Sequence, residues 1–272
     1  MKNHPKTFAV TFGILAVAVC IARVGVADEL QTLNERIAAS PQDARLLASR
    51  ARLHSIASRH TEAVADLDRA IQLQPDRMEL VDFRGSEHLL AGQIKEALAD
   101  FDRFLKKHPD QAPYHWKRGI ALYYAGEYGK GVEQFDIHQT VNSADVENAV
   151  WRAMCMARKE DWKAASEDLL DVGPDSRVPM SEVYKLFAGT ATVEDVLTAA
   201  KAGKPSPEEL RTRLFYAELY IGLYYDAKGE PAKAADHLSL AVDKYFVDHY
   251  MGGIAKVHLK LLKKADKKAD KS

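Results

Sequence analysis

Ala65-Asp66-Leu67-Asp68-Arg69-Ala70 returns 34 residues later as Ala99-Asp100-Phe101-Asp102-Arg103-Phe104. The same offset governs arginine, which stands at 50, 84, 118 and 152, each time followed by a small residue: Ala51, Gly85, Gly119 and Ala153. Twelve residues beyond comes another small residue (Ala63, Ala97, Gly131, Ala165), and four beyond that a large apolar one (Leu67, Phe101, Phe135, Leu169). Pro75 and Pro109 close the first two units. A fixed period of this length marks a chain built by stacking one supersecondary unit.

The pattern resembles the tetratricopeptide repeat, a pair of antiparallel helices whose small residues let the helices approach and whose apolar residue fills the seam. Proline ends the second helix because it has no N–H to continue the ladder. The expected fold is therefore all-α, a tetratricopeptide-repeat solenoid of antiparallel helix pairs with N- and C-terminal capping helices. Four repeats are expected over 44–179, a degenerate helical insert over 180–214 and a last repeat over 215–248. Leu30, Leu33 and Ile37 give a capping helix over 28–43. Tyr250, Ile254, Val257 and Leu261 give another within 249–272, ahead of a Lys-rich tail.

Residues 1–27 are of another kind. Lys2 and Lys6 precede an uncharged run from Thr7 to Ala22, and small residues lead to Ala27 just before Asp28. That is the layout of a signal peptide, cleaved near Ala27 or retained as an N-terminal anchor. Lipidation would use Cys20, although Val19 stands where a small residue is usual. The chain carries 38 basic and 39 acidic side chains, a net charge of −1. Without the leader, which holds Lys2, Lys6 and Arg23 and no acid, the balance is −4. No basic excess suggests nucleic acid. The expected location is the periplasm or cell envelope, with membrane contact only through a retained anchor.

Neither metal nor cofactor nor catalytic residue is expected. The ten histidines show no ligand spacing, and two cysteines cannot build a thiolate site. His54 and His88 share one repeat position and read as packing residues, as does Cys155 between Met154 and Met156. Between the caps the repeats leave no stretch of the roughly 100 residues a separate catalytic domain needs.

The arginines Arg50, Arg84, Arg118 and Arg152 face recurring acids, Asp66, Asp100 and Asp168 in one register and Asp68, Asp102 and Asp136 in another. Regular opposite charges on stacked helices read as a structural ion-pair ladder. Function then falls to the concave face lined by the first helices. The positions expected there are Arg45, Arg52, Glu79, Asp82, Ser86, Trp116, Ile120 and Tyr123, with aromatic groups in the middle and charges toward one end. Such a mixture suits a protein or peptide ligand, although Trp116 and Tyr123 would equally serve to pack neighbouring repeats.

The run Tyr114-His115-Trp116-Lys117-Arg118-Gly119-Ile120-Ala121-Leu122-Tyr123-Tyr124 resembles the third repeat of the bacterial envelope lipoprotein family NlpI. Val183-Tyr184-Lys185-Leu186-Phe187-Ala188-Gly189 and Phe215-Tyr216-Ala217-Glu218-Leu219-Tyr220 resemble the same family's interruption and last repeat. The resemblance implies a non-enzymatic envelope adaptor, usually a homodimer, that brings a protease and cell-wall hydrolases together. Two other readings stand beside it: a cell-wall or glycan-processing enzyme subunit, which requires a polar cluster in a closed pocket, and a glycan binder, which requires Trp116, Trp151 and Trp162 along one surface.

Overall fold

The computed structural model describes the backbone of residues 25–269 and the side chains of 25–265. Most of the leader, 1–24, on which the signal-peptide and Cys20 expectations rest, lies outside the described residues. Among these residues every regular element is helical, in agreement with the expected all-α tetratricopeptide-repeat fold. The chain divides into two compact units, one reaching His88 and one starting at Leu89.

The first unit holds α1 (25–39), α2 (Ala44–Ile56), α3 (His60–Leu73) and most of α4 (Met78–Ala91). Asp43 starts α2 by accepting from the Arg45 amide at 2.8 Å, which satisfies one of the donors a helix leaves open at its first turn. Leu30, Leu33 and Ile37 bury the inner face of α1, and Asn34 accepts from Arg50 at 2.6 Å. The small residues Ala51 and Ala63 are wholly enclosed with Leu67, so α2 and α3 pack closely. The turn between them places Ser58 at φ 55°, and the equivalent turns 34 and 68 positions on use Gly92 and Gly126, both at φ 79°. Only the first of these turns has a side chain in the left-handed region, which disfavours one.

The second unit continues with α5 (Ile94–Lys107), a 3-10 turn (Pro109–Tyr114), α6 (Trp116–Ala125), α7 (Tyr128–Gln139), α8 (Val146–Lys159) and α9 (Trp162–Glu167). After these come α10 (Met180–Phe187), α11 (Val193–Lys201), α12 (Pro207–Ala227), α13 (Pro231–Ser239), a short π-helical turn (Leu240–Lys244) and α14 (Tyr250–Ala269). Pro109 and Pro113 hold the 3-10 turn, so α6 opens only at Trp116. A Cβ on Gly119 would stand 2.5 Å from Phe135 Cζ, and one on Gly131 would stand 2.6 Å from Cys155 Sγ. These contacts are the physical content of the small positions in the repeat: the ring and the thiol occupy the space that a side chain would fill.

Phe101, Phe135, Trp151, Phe187, Phe215 and Tyr220 form the centre of this unit, all at most 1% exposed. Each such side chain contributes roughly 1.5–3 kcal/mol through burial. α9 is short. Beyond Asp168 the chain leaves the helix; Gly173 donates to the Ser143 carbonyl at 3.0 Å and Gln139 to that of Asp171 at 2.8 Å, so the segment lies on the turn between α7 and α8. α12 is capped by Ser206 and begins at Pro207, where the missing N–H costs nothing. It thus starts eight residues ahead of Phe215.

Candidate functional site

The repeat arginines reach sixteen residues forward or back. Arg50 bonds Asp66 at 2.5 and 2.7 Å, Arg84 bonds Asp68 at 2.6 Å, and Arg118 bonds Asp102 at 2.7 Å. Arg152 takes both directions, Asp136 at 2.6 Å and Asp168 at 2.9 Å. Sixteen residues is the distance from a first helix to the second helix of its own or the preceding repeat, so the ladder stitches helices together. Asp100 is buried. These arginines are committed to intramolecular carboxylates.

α14 lies against the first helices of the second unit. Its His258 ring stacks on Tyr123 with centroids 6.1 Å apart and planes within 10°, and its Nδ1 lies 3.2 Å from the Tyr124 hydroxyl. Asp226 of α12 completes the group: Tyr123 donates to it at 2.8 Å and Arg158 at 2.7 Å, while His258 Nε2 lies 3.3 Å away. Burial alone would raise the Asp226 carboxyl, but contacts with His258, Arg158 and Tyr123 more than offset it and hold the group well below the usual carboxylate range. Burial pushes the Tyr123 and Tyr124 phenols well above theirs. The members satisfy one another and none of them lines the cavity described next, so the cluster fastens α14 in place.

Of the two readings of Tyr123, groove residue or packing residue, the structure bears out packing: it is 7% exposed and stacks on His258 of α14. Ile120 is wholly buried, so of the three aromatic and apolar positions only Trp116, half-buried, keeps a solvent-facing edge. In the first unit Arg45, Arg52 and Glu79 are exposed, with Glu79 2.7 Å from Arg77. Asp82 is half-buried, and Ser86 is buried and donates to the Asp82 carbonyl at 3.2 Å. Trp151 is 1% exposed, which removes the surface of three tryptophans that a glycan binder would need.

Between the 3-10 turn, α6, α8 and the start of α14 lies a cavity of about 530 Å³. Tyr114, 59% exposed, stands in its wall with Trp116, Tyr250 and Met251. The Trp116 and Tyr250 rings meet edge to face at 5.3 Å. Opposite in character are Asp145, Glu147 and Arg177. Asp145 is there because it caps α8, accepting from the Glu147 amide at 3.1 Å. Arg177 comes from the irregular segment after α9 and bonds Glu147 at 2.6 Å, Asp145 at 2.8 Å and Asp175 at 2.6 Å. Burial raises the Glu147 carboxyl, with Asp145 adding to the rise and Arg177 opposing it. For Asp175 burial is outweighed by its bonds to Arg177, and the group is lowered.

Trp116 and Ile120, expected on the concave face of the first helices, line this cavity, whereas Asp145, Glu147 and Arg177 were not among the expected residues. Asp145 carried a local signal as a helix cap. Arg177 carried none, because it meets its partners 30 and 32 residues back through a segment outside the repeat pattern. Elsewhere, Cys155 is fully buried and its thiol is pushed up to about 12 by burial, an inert group. Among the described residues no cluster of His, Cys, Asp or Glu could hold a metal ion, and no helix is long and apolar enough to cross a membrane.

No family model and no curated protein matches the sequence. Among solved structures, the chain is similar to a tetratricopeptide repeat protein from Parabacteroides merdae, at 15% identity and TM-score 0.54, over 92% of this chain and 96% of that one. It is also similar to MamA from Desulfovibrio magneticus RS-1, at 19% identity and TM-score 0.49, over 60% of this chain and 92% of that one. A third is YrrB, described as a tetratricopeptide repeat protein with an unusual peptide-binding site, at 18% identity and TM-score 0.43, over 82% and 97%. The first of these likenesses agrees with the fold read from the 34-residue period: the chain has the all-α tetratricopeptide-repeat fold.

Proposed function

We propose that this chain is an exported, non-enzymatic scaffold of the bacterial cell envelope that binds a protein or peptide partner, an adaptor of the kind the NlpI family provides. The observation that carries the reading is the cavity beside α6 and α14. It is of a size that ligands fill, walled by Trp116, Tyr114 and Tyr250, and edged by charge, the composition in which a few aromatic anchors dominate binding. The leader-like residues 1–27 support export, and the sequence likeness at 114–124 supports the adaptor role and a homodimer.

Crosslinking in bacterial cells followed by fractionation and mass spectrometry tests this. The expected result is a chain found in the envelope fraction with one partner recovered in stoichiometric amount. A chain confined to the cytoplasm, or one with no partner above background, contradicts it.

A further inference from the structure

We propose that the cavity receives a basic side chain, lysine or arginine, from an extended segment of the partner, seated against Trp116, Tyr114 and Tyr250 and facing the carboxylates of Asp145 and Glu147. This rests on the scaffold reading and gives the partner a chemistry.

Charge is the first argument. Arg177 is the one permanent cation among the described residues lining the cavity, and three carboxylates already share it. Lys117, outside the lining, holds its ammonium 4.9 Å from the Tyr250 centroid and 5.9 Å from that of Trp116. Two carboxylates, Asp145 and Glu147, line the cavity against Arg177; with Asp175 and Lys117, both just outside the lining, three carboxylates stand against two cations, so the site keeps a surplus of negative charge in partly buried surroundings, where an incoming cation is attracted. An acidic partner would be repelled there, and a purely apolar one would leave the surplus uncompensated.

Shape and surface chemistry agree. Aromatic faces attract cations, and Lys117 shows that the Tyr250 ring already does so. The volume admits a long side chain together with its neighbour on the peptide.

The test titrates the full chain, followed by tryptophan fluorescence and calorimetry, with one short peptide carrying lysine, arginine, norleucine or glutamate at its centre. Lysine and arginine peptides are expected to bind about tenfold or more tighter than norleucine, the glutamate peptide not to bind, and affinity to fall as salt rises. Asn142 is exposed and donates to Asp145 at 3.1 Å, so Asn142→Lys places a cation on the same carboxylate without disturbing the core. It is expected to weaken lysine-peptide binding about tenfold with the thermal transition unchanged. Equal binding of norleucine and lysine peptides, or unaltered binding by a folded Asn142→Lys, overturns the proposal. So does binding of 1,5-diaminopentane as tight as that of the peptide, which would make the ligand a free amine. A partner crosslinked in cells that Asn142→Lys fails to reduce leaves the scaffold reading standing and this one refuted; a lysine peptide bound in vitro with no cellular partner does the reverse.

Discussion

The Tyr123 hydroxyl donates to the Asp226 carboxylate at 2.8 Å, joining α6 to α12 across 103 positions of sequence. With Arg158 and His258 as further partners, Asp226 ties together three repeats and α14 at a point 3% exposed. Tyr123→Phe keeps the ring and removes one donor from a buried carboxylate, which should cost about 1–2 kcal/mol. Asp226→Ala leaves Arg158 and His258 facing an empty site and should cost about 3–5 kcal/mol. Urea unfolding of each variant measures both; equal, negligible losses would mean that the cluster does not hold α14.

Ser58 is expected to be improvable. Its φ of 55° lies where Gly92 and Gly126 sit in the following repeats, and a left-handed side chain costs about 1–2 kcal/mol. Glycine relieves that strain and loses part of the gain to a more flexible unfolded chain. Ser58→Gly should therefore stabilise by about 0.5–1 kcal/mol, read as a rise in the urea midpoint at unchanged slope.

Acid should loosen the start of α14. His249 accepts from the Met251 amide at 3.1 Å, and burial lowers its pKa, as it lowers that of His54 in the first unit. Both are favoured neutral in the fold, so their contribution is complete above the unfolded value of about 6.5 and is lost as pH falls below it toward their folded values. The thermal transition should drop between pH 7.5 and 5.5, and His249→Gln should make that drop smaller. An identical pH profile for the variant would assign the dependence elsewhere.

The ladder should be uneven. Arg118 meets an Asp102 side chain that is 58% exposed, and pairs of that kind contribute about 0–1 kcal/mol. Arg152, 11% exposed at its side chain, bonds two carboxylates and the Asp168 carbonyl. Arg118→Ala should cost about 0–1 kcal/mol and Arg152→Ala about 2–3 kcal/mol, measured under the same conditions; the opposite order would contradict this view of the pairs.

What was legible in the sequence followed from local rules repeated at one period. A small residue at 119 and a phenylalanine at 135 are sixteen apart because one fills the space the other leaves, and the same contact returns between Gly222 and Leu238. The docking of α14 was not legible. Its stripe of Tyr250, Ile254 and Val257 announced an amphipathic helix, but its position depends on His258 meeting Tyr124, 134 residues away, and Asp226. Nothing local distinguishes that histidine. The Gly252-Gly253 pair of α14 packs closely: a side chain at 252 would collide with the Val247 carbonyl, and one at 253 with Leu90. The cavity escaped notice for the same reason, since Arg177 reaches it from the segment where the repeat pattern lapses.

The central claim, that a partner binds at the cavity beside α6 and α14, is met most directly by photo-crosslinking in cells from a benzophenone amino acid placed at Tyr114, with Arg45 as the control position. Tyr114 stands exposed in the cavity wall, and Arg45 lies on the first unit. A single adduct from 114, absent from 45 and diminished by Asn142→Lys, is the predicted result. An adduct that forms equally from both positions, or from 45 alone, would contradict it.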